Sequence, residues 1–260
     1  MSVGGEDDAA RVHFVDKWLA REPEMRFVEP FCPAGQRERF RAWGALLHEL
    51  REAAFELSDP GVARAKAAWW AESLLAIGSG QVRHPLAAGL PSHAPWNELA
   101  RGLLSMAGEA PRVADTREAI ERLLPSAGAV ARVEAAVFDG PVVEDAARSL
   151  AVHWLLHRLP HGLAADDLAR VPMHLLARHD LAATDLPSAR SRALLRDWGA
   201  ELLAATPVAL PQAPLFRRAR HRLDRARLRA LAATGEPRPP APPRALWQAW
   251  RAAREGVRAG

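Results

Sequence analysis

The chain has 260 residues, 49% of them hydrophobic, with a formal net charge of +4 and a single cysteine, Cys32. That length supports one large domain or two small ones with a real core, one cysteine rules out an internal disulfide, and no run approaches the ~20 apolar residues of a membrane span. The N-terminus "MSVGGEDDAARVHF" is acidic and lacks the charged-then-apolar pattern of a secretory signal, so a soluble cytoplasmic protein is expected.

In chain order, nearly every segment predicts helix. Ala, Leu, Arg and Glu dominate, and all favour helices. Apolar residues recur three and four apart, as in Val12, Val15 and Leu19, then Ala45, Leu47, Leu50, Ala54 and Leu57. "SDPGVARAKAAWWAESLLAIGSG" offers Ser58 or Asp59 as N-cap, Pro60 in the first turn, and Gly78 and Gly80 at the stop. "HPLAAGLPSHAPWNELARGLLSMAG" predicts one short helix and one longer one. "DGPVVEDAARSLAVHWLLHRLPHG" places Pro141 at a start, Glu144 and Asp145 in the first turn, and Pro160 with Gly162 at the stop. No period-2 strand run or hairpin signal occurs.

The charge is unevenly placed. Lys17 and Lys66 are the only lysines, so almost all the basic residues are arginine. From Leu215 to Gly260, twelve arginines stand against Asp224, Glu236 and Glu255. "LFRRARHRLDRARLRALAA" carries an imperfect apolar stripe of Leu215, Leu223, Leu228 and Leu231. It predicts a solvated helix pairing with the acidic remainder of the chain, with peripheral docking of 215–233 on an anionic membrane as the alternative. No nucleic-acid partner is expected, because charge is unaccompanied by a recognition motif. The organisation expected is one helical domain over 1–234, a Pro-rich linker over 235–244 and a helical tail over 245–260.

Four stretches carry a resemblance: "FRAWGALLHELREAAFELSDP", "VARAKAAWWAESLLAIGSGQVRHPLAAGL", "SLAVHWLLHRLPHGLAADDLARVPMHLLARHDL" and "ALWQAWRAAR". Their order resembles the squalene/phytoene synthase family, all-α proteins of the isoprenoid synthase fold. The resemblance implies a single domain of about nine to eleven helices around a central cavity. Active members join two allylic diphosphates head to head, using Mg²⁺ held by aspartates on two facing helices. Mg²⁺ takes carboxylate, water and phosphate oxygens and neutralises the leaving diphosphate.

This chain departs from the family at those positions. With Arg51 and Glu52 in the family register, the three aspartate positions become Ala54, Phe55 and Ser58. On the second helix the acid positions become Arg158 and Gly162. None is a charged Mg²⁺ ligand, so no catalytic or metal residue is assigned. At about 100° per residue, Leu47, Leu50, Arg51 and Ser58 lie with Ala54, and Glu49, Glu52, Glu56 and Asp59 lie on the opposite, solvated or salt-bridged face. Candidate pocket-lining residues are Leu47, Leu50, Arg51, Trp70, His153 and His157. The last two share a helix face, but His161 follows a break and no further ligand completes a metal set. Adjacent Trp69 and Trp70 diverge, one toward the core.

The resemblance therefore implies a terpenoid-biosynthesis protein that has lost Mg²⁺-dependent prenyl transfer and needs no cofactor. It would bind an isoprenoid or other lipid, or a client protein as an assembly factor. Family relatives lacking the aspartates act in assembly of respiratory complex I. The rival expectation is an active squalene- or phytoene-synthase-type transferase with Mg²⁺.

Overall fold

Asp59 caps its helix as the sequence predicts, its carboxylate accepting from the Gly61 and Val62 amides at 2.7 and 3.0 Å. In the computed structural model, which describes residues 3–57, 59–107, 112–157, 171–182, 191–236 and 238–259, such signals set most boundaries. The described residues form α1 (Val3–Arg21), α2 (Arg37–Phe55), α3 (Pro60–Gly78), α4 (Trp96–Met106), α5 (Thr116–Val137), α6 (Glu144–His157), α7 (Met173–Arg178), α8 (Ser191–Ala205), α9 (Leu215–Thr234) and α10 (Pro242–Ala259). Short 3-10 turns at Pro23–Phe27, Glu29–Phe31, Ala34–Gln36 and Pro85–Ala87 complete them. No strand occurs among the described residues, and the chain is an all-α single domain. No helix is long and apolar enough to cross a membrane among the described residues.

Helices pack chiefly on their sequence neighbours: α3 on α4, α4 on α5, α5 on α6, α8 on α9 and α9 on α10. Helix α9 also meets α6 and the 23–27 turn, so it runs through the interior. Trp18, Trp43, Trp70, Trp96 and Trp198 are fully buried. Each buried indole removes roughly 150–250 Å² from water, worth about 4–6 kcal/mol before ordering costs. Close helix contact needs two glycines. A Cβ on Gly44 would stand 2.3 Å from the Trp18 ring, and one on Gly199 would stand 2.8 Å from Leu231.

Two features differ from the sequence reading. The last helix starts at Pro242, before the expected tail, and its Ala245, Ala249 and Ala252 are fully buried against α9 and the 23–27 turn. Gly235, at φ 71°, closes α9 in the left-handed conformation that suits glycine. The second difference concerns 215–233, expected as a solvated helix. Instead Phe216, Arg217, Arg220, Leu223, Asp224 and Arg227 are all buried. The inward stripe of α9 is completed by charged residues, which is why its leucines alone looked imperfect.

Candidate functional site

Arg51, His153 and His157, expected to line a pocket, belong to a buried ionic centre. The turn after α1 directs Glu22 and Glu24 inward, α2 supplies His48 and Arg51, α6 supplies His153 and His157, and α9 supplies Arg220, Asp224 and Arg227. Arg51 donates from Nη1 to Glu22 Oε1 at 2.7 Å, and Arg220 donates from Nη1 to Glu22 Oε2 at 2.9 Å. Arg220 Nη2 lies 2.7 Å from Glu24 Oε1, and its Nε donates to Asp224 at 3.1 Å. Arg227 donates to Glu24 at 2.7 Å. His153 donates from Nδ1 to the other Asp224 oxygen at 2.9 Å.

The charges balance. Three carboxylates meet three guanidinium groups, and the histidines stay neutral. Burial alone would raise the pKa of Glu22 and of Asp224, disfavouring their ionised forms. Arg51 outweighs it at Glu22, with help from His157 and Arg220, and Arg220 with His153 outweighs it at Asp224. Both carboxyls end well below their ordinary values. Burial, then Arg51, pushes His48 down to about 4 and His157 well below its usual range. Burial also lowers His153, against the pull of Asp224, and takes His221 to about 4. An arginine cannot accept, so the 2.9 Å contact from Arg51 Nη2 makes His48 Nδ1 the acceptor.

A second buried pair ties three helices together. Arg217 donates twice to Glu134, at 2.9 and 2.7 Å, and the Trp43 indole donates to the same carboxylate at 2.8 Å. Bidentate geometry and a third donor satisfy that carboxylate well.

A third ionic group lies on the other face of α2. Lys17 Nζ donates to Glu49 and Glu52 at 2.7 and 2.5 Å, and Lys66 donates to Glu52 at 2.8 Å while standing 3.7 Å from Glu49. The only two lysines of the chain thus clamp one pair of glutamates. His48, Glu49 and Glu52 offer ligand atoms within 4.8 Å of one another, spacing that suits a cation. The ammonium groups already supply that positive charge. Burial opposes them, yet Lys17 and Lys66 take Glu52 down to about 2.

The sequence-derived candidates separate into three places. Leu47, Leu50, Arg51 and Phe55 line a gap of about 10 Å³ beside Trp154, room for at most about one water. Phe55 itself packs on Trp154 at 5.7 Å between ring centroids. Ala54 is buried in the apolar core, and His153 and His157 belong to the ionic centre. Trp70 lies apart from the gap, packed against Trp69 and His84, while Trp69 is half exposed. Ser58, Arg158 and Gly162 fall outside the described residues, as does His161.

Of the opposite-face acids, Glu49 and Glu52 are the salt-bridged pair just described. Glu56 meets Arg21 at 3.4 Å and Arg51 at 3.5 Å, and Asp59 is a cap. Cys32 is buried, and burial pushes its thiol up, away from reactivity.

The sequence reading missed Glu22, Glu24, Arg220, Asp224 and Arg227. For the α9 members a signal was present: Arg217, Arg220, Asp224 and Arg227 recur at three and four with the leucines. Among the described residues, each carboxylate of the centre carries a cation of this chain. Glu24 Oε2 and His48 Nε2 are buried in this set without a hydrogen-bond partner. Compared with models of known protein families and with curated proteins, the chain matches none.

Proposed function

We propose that this chain is a squalene/phytoene-synthase-like protein that has given up Mg²⁺-dependent prenyl transfer and acts in the cytoplasm as an assembly or scaffold protein. One observation carries the reading. Among the described residues the carboxylates of the interior are each neutralised by a resident arginine or lysine, as at Glu22–Arg51 and Glu49–Lys17. A Mg²⁺ ion would have to displace a buried guanidinium or ammonium, and Ala54 in the core and Phe55 at the gap offer it no oxygen.

The same reading allows an isoprenoid or lipid ligand, and the packing favours the scaffold role over it. Beside Arg51 the described residues leave about 10 Å³, against the roughly 300 Å³ or more of a typical small-molecule site.

Incubation of the purified protein with farnesyl or geranylgeranyl diphosphate and Mg²⁺ tests the loss of catalysis. No diphosphate release above the protein-free control is expected. Release at an enzymatic rate would establish the active-transferase alternative. Solvent extraction followed by mass spectrometry separates the two non-catalytic roles, with no stoichiometric isoprenoid expected for a scaffold.

A further inference from the structure

The outer edge of α9 and the exposed face of α10 gather arginines that the interior does not use, and the connection before α9 borders them. Trp247, Trp250, Arg251 and Arg254 of α10 fall within an arc of about 100°, and all four are exposed. The two indoles stack at 4.7 Å and 25°, and the Arg254 guanidinium stands 5.1 Å over the Trp250 ring. Beside them a cleft of about 310 Å³ is lined by Arg222, Trp250, Arg251, Arg254 and Glu255. An adjoining one of about 40 Å³ adds Arg225, Arg229 and Val208. Among the described residues Glu255 is the one acid lining either cleft, and it already pairs with Arg222. Burial and then Arg251, Arg229 and Arg225 push the Arg222 guanidinium below its ordinary value. Like charges have been drawn together here at a cost.

Large apolar groups stand among those charges. Val208 is 85% exposed, Trp247 51%, Leu246 46% and Trp250 36%. The back of α10 is locked down by Ala245, Ala249 and Ala252, so the face is presented rigidly.

We propose that this face docks on an anionic lipid bilayer. Clustered arginines answer the phosphates of anionic headgroups, and tryptophan beside them suits the interfacial depth where one edge is apolar and the other wet. The apolar groups favour a bilayer over a nucleic acid. The indoles cover one another and Arg254 covers Trp250, which leaves little ring face for a base to stack on. Of the arginines of 215–233, Arg222, Arg225 and Arg229 line these clefts. Arg217, Arg220 and Arg227 are turned inward.

Flotation of the full chain with phosphatidylcholine vesicles, with and without phosphatidylglycerol, tests the assignment. Binding is expected only where phosphatidylglycerol is present, and it weakens as NaCl rises from about 50 to about 300 mM. The double variants W247S/W250S and R251Q/R254Q should each lose at least about tenfold in binding. All four side chains are exposed, so unchanged circular dichroism and melting confirm that the variants fold. Failure of the parent chain to float with anionic vesicles would overturn the proposal. So would equal flotation with phosphatidylcholine alone, or unchanged binding in both variants. Displacement from the vesicles by oligo(dT) at lower concentration would assign the face to nucleic acid instead. These outcomes are independent of prenyl transfer, which the diphosphate assay reads separately.

Discussion

Helix α9 treats the same residue type in two opposite ways. On its inner side Arg217, Arg220 and Arg227 are buried and each meets a carboxylate. On its outer side Arg222, Arg225 and Arg229 crowd one another and Arg251, with Glu255 the one acid among them. Arg225 spends its donors on the Thr206 and Pro207 carbonyls. Inside, charge neutrality is met residue by residue, because an unpaired charge in a low-dielectric interior costs several kcal/mol. Outside, water screens the repulsion, and the excess positive charge stays available to something beyond the chain. Arginine content alone says nothing of function here; its pairing does.

Breaking the inner set should have the largest effect. Arg220 is shared by Glu22, Glu24 and Asp224, so R220A leaves three buried carboxylates short of a partner. A loss of about 3–5 kcal/mol in urea unfolding is expected. If R220A unfolds like the parent chain, the centre is not the keystone described above.

Acid should dissolve the same set. His48 and His221 sit near 4 in the fold against about 6.5 when unfolded. The unfolded chain therefore binds more protons than the folded chain between those values. Stability is full above about pH 6.5 and falls as pH drops toward about 4, by about 2 kcal/mol per histidine at about pH 5. Below that, Glu22 and Asp224, held under their ordinary values, add a loss of the same sign. Melting temperature against pH reads the slope, and H48Q should flatten it.

The lysine clamp comes next. K17M strips Glu49 and Glu52 of their shared donor and should cost about 1–3 kcal/mol. The double variant K17M/K66M sharpens the contrast between resident and external cations. With both ammonium groups gone, His48, Glu49 and Glu52 keep their mutual reach. Its melting temperature should rise on adding Mn²⁺ or Zn²⁺, a response the parent chain should not show.

Most helices were legible because their stop signals act locally. Asp59 caps, Pro60 occupies the first turn, and Glu144 with Asp145 opens α6. The face of α2 was legible too, since Leu47, Leu50 and Arg51 do share one small gap and Glu49 with Glu52 lie elsewhere. The ionic centre was not. Reading charge as exterior is sound for most residues, and it fails where partners arrive from distant positions. Glu22 and Arg220 lie 198 residues apart and meet at 2.9 Å. No local pattern marks a carboxylate in a 3-10 turn as the counter-ion of a helix near the other end of the chain. The exposed face of α10 was half legible: the terminal helix showed in the sequence, and its convergence with the outer arginines of α9 did not.

The smallest effect is the most telling one. Arg251 makes no ion pair among the described residues and repels Arg222. Replacing it should relieve repulsion and remove no buried contact. R251Q is therefore expected to leave stability unchanged or raise it, within about 0.5 kcal/mol by thermal unfolding. Paired with R220A, it makes two arginine substitutions on neighbouring helices differ several-fold in cost. An arginine that the fold would be no worse without is held there by something other than folding. A clear destabilisation by R251Q would instead give the outer cluster a structural role and remove the energetic argument for an external anion.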